Sequence, residues 1–191
     1  MACSEDGGAA RFLVVTAFDT KYAVGYTCST VNEAYCSRHG YSFQRVLLDP
    51  ESMKLLAGGR HGAWAKVALV WYLLGGDPAV DVAALSGLRS VDTAVDYVVW
   101  IDADALVLNH ARRLEDFVQA AAGADFIVGE DMADTDLLNT GLFFCRKGSP
   151  WMLQTMQKWW MDSDVRWHTE VCWDQTGLCD ILKADEGLGC Q

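Results

Sequence analysis

The chain has 191 residues, 51% of them apolar with eight Trp, and a formal net charge of −11. That is core material enough for one domain, and it argues against a nucleic-acid or anionic-membrane surface, which needs clustered Lys and Arg. A small anionic ligand stays admissible where a metal or local cations reverse the sign.

The first eight residues, MACSEDGG, are acidic and do not have the shape of a signal peptide. Residues 12–17 read as an apolar strand, followed by a polar turn through Asp19 and Lys21. A helix is expected over 31–39, stopped at Gly40, a residue suited to a left-handed C-cap. Residues 43–48 form a second strand, closed by Asp49-Pro50. After a Gly-rich turn at 58–62, a helix is expected over 63–75, with Trp64, Val67, Ala68, Trp71 and Leu74 on one face and Asp77-Pro78 as its stop. That segment contains Lys66 and is too short to span a bilayer. Residues 79–95 carry no distinct pattern.

Strands follow at 97–101, 126–129 and 142–145, and helices at 114–122, 150–161 and 174–183, with Pro150 at a first turn. Alternating strands and helices predict a single α/β domain with a mainly parallel sheet, strands 12–17, 43–48, 97–101 and 126–129 being neighbours in it.

Seven cysteines (3, 28, 36, 145, 172, 179 and 190) include no Cys-x-x-Cys pair, so structural zinc is not expected. Cys145 reads as a buried small hydrophobe, and a 172–179 disulfide is open to an oxidising compartment.

The segment YVVWIDADALVLN, residues 97–109, carries most of the functional signal. Its apolar run fits a strand buried on both faces, and ligands of open α/β sheets bind beyond the carboxyl ends of such strands. There the run stops in Asp102 and Asp104. In extended chain i and i+2 side chains point the same way, so the two carboxylates converge, and a hard divalent cation relieves their repulsion. Asp-x-Asp also occurs at Asp134/Asp136 and Asp162/Asp164, in polar stretches that read as loop or helix-cap residues.

Lys66 is the sole charge between His61 and Asp77. Buried, it needs a carboxylate or phosphate partner; the alternative is that it snorkels to water. Asn139-Thr140-Gly141 suits a tight turn before the strand at 142, or a polar edge offering groups to sugar hydroxyls. Asp174-Gln175 reads either as a helix cap or as a carboxylate and amide facing a reacting carbon. Glu130 and Asp131 stand at another strand's carboxyl end and are candidates for the cleft, whereas His168 and Glu170 read as solvated.

These segments in order, HGAWAK at 61–66, WIDADALVLN at 100–109, Asp131, Asn139-Thr140-Gly141 and Asp174-Gln175, resemble one glycosyltransferase family. It includes galactomannan galactosyltransferases, xyloglucan xylosyltransferases and fungal Golgi α-galactosyl- and α-mannosyltransferases. The resemblance spans about residues 12–183. It implies a GT-A fold, a Golgi lumenal setting, and a retaining transfer of a hexose or pentose from a nucleoside diphosphate sugar to a glycan acceptor. It further implies Mn²⁺ or Mg²⁺ on Asp102 and Asp104, with Asp102, Ala103 and Lys66 toward the donor. The turn Thr16-Ala17-Phe18-Asp19 would hold the nucleoside. Asn139, Thr140 and Gly141 would line the sugar side, and Asp174 and Gln175 would act as the catalytic pair.

Relatives carry a membrane anchor and a third metal ligand, a His beyond the Asp-Gln motif. This chain has no His after His168. The expectation is a C-terminally incomplete domain, or a metal held by two Asp, phosphate and water. Two rival readings are a haloacid-dehalogenase-like phosphotransferase, in which the first Asp of the pair is nucleophile, and an inactive nucleotide-sugar or glycan-binding module.

Overall fold

In the computed structural model, residues 10–82, 88, 94–132 and 137–184 are described. Five strands build one sheet: β1 (Phe12–Asp19), β2 (Ser42–Leu48), β3 (Tyr97–Ile101), β4 (Phe126–Glu130) and β5 (Leu138–Arg146), in the order β2-β1-β3-β5-β4. β1 pairs in parallel with both β2 and β3, while β5 runs antiparallel to β3 and to β4. Four strands therefore point one way and β5 points back.

The α-helices among the described residues are α1 (Ala23–His39), α2 (Pro50–Leu56), α3 (Ala65–Leu74), α4 (Leu114–Ala120), α5 (Pro150–Met161) and α6 (Trp173–Ala184). One sheet face, carrying Leu13, Val15, Val98, Trp100 and Phe143, packs on residues of α3, α5 and α6 that include Val67, Met156 and Leu178. The other, with Phe12, Val14, Val99 and Phe144, packs on Tyr35 and Cys36 of α1 and Leu114 at the start of α4. This two-sided cover is why β1 and β3 are apolar without alternation.

The expected α/β class holds, and several details are corrected. β4 does not neighbour β3, because β5 lies between them. The link from β4 to β5 is far shorter than the dozen or more residues of a parallel crossover, so the two strands must be antiparallel. Asn139, Thr140 and Gly141 are not a turn before a strand but part of β5 itself. The helix expected at 31–39 begins at Ala23; Gly, Ser and Thr conceal its first turns, since these residues have weak helix propensity. Gly25 is required there, because a Cβ would stand 2.6 Å from the Phe18 ring.

Asp49-Pro50 does not simply close β2. The Asp49 carboxylate accepts from the Glu51 and Ser52 amides, each at 2.9 Å, and Pro50 opens α2. The helix expected over 63–75 divides into a 3-10 turn, Gly62–Trp64, and α3, which stops at left-handed Gly75 before Asp77-Pro78 is reached. Much of 79–95 and the Asp134/Asp136 pair lie outside the described residues. Cys172 and Cys179 are free thiols rather than a disulfide, and Cys179 Sγ accepts from the Leu138 amide at 3.3 Å. Cys145 is fully buried, and burial pushes its thiol well up. No helix among the described residues is long and apolar enough to cross a membrane.

Candidate active site

β3 delivers Asp102 to the carboxyl edge of the sheet, and pairing with β5 continues one residue beyond it: the Asp102 amide donates to the Gly141 carbonyl at 2.7 Å. The chain then turns, closed by the Ala105 amide on the Asp102 carbonyl at 3.0 Å. Asp102 and Asp104 thus share a turn, not an extended segment, and both line one cavity of about 540 Å³. The Trp100 indole N–H donates to Asp102 Oδ1 at 2.6 Å, and the Tyr22 hydroxyl donates to Asp104 Oδ2 at 3.1 Å. Burial, then the hydrogen bond to Asp104, raises the Tyr22 hydroxyl above its usual range. The i, i+2 spacing made Trp100 findable in sequence; Tyr22, eighty-two residues from its partner, gave no local sign.

Lys66 rises from the first turn of α3 beneath this turn and is 6% exposed, so it does not snorkel. Its ammonium lies 3.0 Å from Asp102 Oδ1 and 3.4 Å from Asp174 Oδ2, and donates to the Thr140 carbonyl at 3.2 Å. Burial alone would lower this ammonium, but Asp174 and Asp102 outweigh it and hold it above its ordinary value. Asp174, 3% exposed, is pushed up by burial, with Lys66 and then the Thr140 hydroxyl opposing. That hydroxyl donates to Asp174 Oδ2 at 2.8 Å.

β5 carries the next shell of polar groups. The Thr140 amide donates to Gln175 Oε1 at 3.2 Å, and the Gln175 amide donates to Asp131 Oδ2 at 3.2 Å. Asn139 Nδ2 donates to the same Asp131 oxygen, while Asn139 Oδ1 accepts from the Gly141 amide at 2.9 Å. Gly141 has to lack a side chain: a Cβ would stand 2.9 Å from Asn139 Oδ1 and 3.4 Å from Asp102 Oδ2. Lys66, Asp102, Thr140, Asp174, Gln175, Asn139 and Asp131 therefore form one connected network.

Other expected residues fall elsewhere. Thr16 and Ala17 belong to β1, not to a turn. Ala17 lines the cavity, with Ala103, Phe18 and Asp19. Thr16 is 1% exposed, sits on the strand face of Val14 and Phe12, and its hydroxyl has no hydrogen-bond partner. Asp162 is the C-cap of α5, and Asp164 caps the turn Val165–His168, as the polar context suggested. Glu170 is exposed, and His168 is half-buried edge-on to Trp64.

Sequence reasoning gave no role to Trp173, and none to His61 beyond its place in a motif. Their rings stack in parallel, centroids 3.7 Å apart and planes 5° apart, and both line the cavity. Cys172 (φ 68) and Trp173 (φ 27) are consecutive left-handed residues without glycine's freedom. Such backbone costs on the order of 1–3 kcal/mol per residue and clusters at functional sites.

Among the described residues the cavity wall carries three carboxylates, Asp19, Asp102 and Asp104, against one ammonium, that of Lys66, which is engaged by Asp102 and Asp174. An anionic ligand entering here needs a cation with it. Among the described residues no three His, Cys, Asp or Glu side chains converge on one point. Asp102 and Asp104 nevertheless suit Mg²⁺ or Mn²⁺, which take oxygen ligands and complete their shell with phosphate and water.

No protein-family model and no curated protein matches the chain. Its fold is similar to that in the crystal structure of a glycosyltransferase involved in the glycosylation of the major capsid of PBCV-1. The TM-score is 0.63 at 13% identity, over 95% of this chain and 80% of that one. At that identity the likeness is one of fold, and the α/β architecture is GT-A-like.

Proposed function

We propose that the protein is a metal-dependent glycosyltransferase that moves a hexose or pentose from a nucleoside diphosphate sugar to a glycan with retention. The observation that carries this reading is the network at the sheet's carboxyl edge, where the Asp102/Asp104 turn, Lys66, Thr140 and Asp174 meet beside an acidic cavity. The fold likeness to a glycosyltransferase supports it over the phosphotransferase reading.

In this mechanism Asp102 and Asp104 would hold Mn²⁺ or Mg²⁺, which would supply Lewis-acid neutralisation of diphosphate charge. Lys66 fixes the Asp102 carboxylate and adds fixed positive charge below it, so little reorganisation is needed as charge develops. The Ala17 end of the cavity receives the nucleoside, and Asn139, Thr140 and Gly141 line the sugar side. Asp174 and Gln175 stand beside Lys66 and Thr140, adjoining the cavity rather than in its wall. Because Asp174 is buried and held by Thr140 and Lys66, electrostatic stabilisation of oxocarbenium character suits it better than covalent attack.

The test is calorimetry of UDP-galactose, UDP-xylose and GDP-mannose with and without Mn²⁺, followed by NMR of the anomeric product. Mn²⁺-dependent binding and retained configuration are expected. No binding of any of the three in either condition would refute the reading.

A further inference from the structure

The mechanism above leaves the His61–Trp173 pair unused. It sits in the same cavity as Asp102 and Asp104, and Met53 adds a further apolar side chain to the wall there. The pair is held from both ends. His61 Nδ1 accepts from the Ala63 amide at 3.3 Å, and the His61 amide donates to the His168 carbonyl at 2.8 Å. The Trp173 indole N–H donates to the Thr169 carbonyl at 3.3 Å.

Because Nδ1 is an acceptor, the neutral ring carries its proton on Nε2. Burial lowers the ring below its ordinary range, with Asp174 opposing, which favours that neutral form. Nε2 meets no acceptor among the described residues. A flat aromatic surface with one spare N–H donor, in an otherwise acidic cavity, matches a molecule with an apolar C–H face and hydroxyls at its rim.

We propose that the stacked His61–Trp173 pair is a sugar platform, packing against the C–H face of a pyranose while His61 Nε2 donates to one of its hydroxyls. This rests on the reading that the cavity takes a nucleoside diphosphate sugar. The pyranose is the transferred sugar or a ring of the acceptor, and the two are separable by experiment.

Wild type, Trp173→Ala, Trp173→Phe and His61→Phe are titrated calorimetrically, with Mn²⁺, against UDP, UDP-galactose, GDP and GDP-mannose. Methyl β-galactopyranoside is followed by saturation-transfer NMR, and thermal melting checks that each variant is folded. Trp173→Ala should weaken a sugar-bearing ligand tenfold or more while the bare diphosphate changes less than twofold. Loss confined to the nucleotide sugar assigns the donor ring; loss confined to the methyl glycoside assigns the acceptor ring. Trp173→Phe should recover most of the affinity, and His61→Phe, which keeps a stack but no N–H, should lose several-fold.

Equal losses for UDP and UDP-galactose, or no change with any sugar probe, would overturn the platform. If wild type binds no nucleotide, the functional reading fails separately. The platform then rests on the methyl glycoside: a signal lost in Trp173→Ala supports it, and no signal in wild type overturns it.

Discussion

Lys66 Nζ stands 3.4 Å from Asp174 Oδ2, with both side chains almost wholly enclosed, and the same ammonium holds Asp102 at 3.0 Å. One cation thus ties the turn after β3 to the start of α6. Removing one partner of a buried pair strands the other, at a cost of about 3–5 kcal/mol.

Lys66→Met should therefore destabilise the protein by about that amount near pH 7. Burial already raises Asp174, so its ionisation costs stability as pH climbs from the unfolded carboxyl value through the folded one. Without Lys66 the carboxyl moves further up. The deficit of Lys66→Met against wild type should be small near pH 4 and widen toward pH 8, read by denaturant melts across that range. A deficit independent of pH would mean that Lys66 stabilises by packing alone.

Asp102→Ala and Asp104→Ala should each abolish Mn²⁺-dependent binding of a nucleoside diphosphate sugar. Asp162→Ala, at the end of α5, should leave it unchanged. Asp104 is exposed, so its loss should cost less than about 1 kcal/mol of stability. Calorimetry paired with melting separates the effects, and equal binding losses at all three positions would remove the special status of the first pair.

Gly141→Ala should act through its neighbours. The new Cβ displaces Asn139 Oδ1, breaking its bond to the Gly141 amide, and presses toward Asp102. Loss of that hydrogen bond should cost about 1 kcal/mol of stability, and the pressure on Asp102 should lower Mn²⁺-dependent affinity, measurable by titration. Unchanged affinity would show that Asn139 swings away freely.

Asp174→Asn keeps an acceptor for the Thr140 hydroxyl and removes the charge. Donor and Mn²⁺ affinity should stay within a few-fold, while transfer or donor hydrolysis falls by about a hundredfold or more, the pattern of a group acting in the transition state. Full turnover in the variant would reduce Asp174 to a structural role.

Legibility in the sequence followed local strength of signal. β1 and β3 were plain because burial on both faces removes alternation, and Asp102 was plain because a charge ends such a run. β5 was cut short because Asn139-Thr140-Gly141 carries turn chemistry, yet its strand conformation is imposed by pairing with β3 and β4. α2 was hidden because Asp49-Pro50 reads equally as the end of a strand or the start of a helix. Thr16 stands next to cavity-lining Ala17 in sequence, yet the strand's alternation turns it toward the α1 face. The Tyr22–Asp104 and His61–Trp173 contacts join residues far apart in the chain, and no local pattern announces such pairs.

The reversal of β5 has a consequence for the order in which the protein is made ready to work. Ile101 pairs with Leu142 and the Asp102 amide with the Gly141 carbonyl, contacts that close a loop of about forty residues. Until that loop closes in register, Asp102 lacks its neighbours on β5, and a slip of one residue would turn Thr140 to the opposite face of the sheet. Local helices form early, whereas pairings of this separation are slow. A refolding chain should thus regain helical signal well before it can retain a nucleotide.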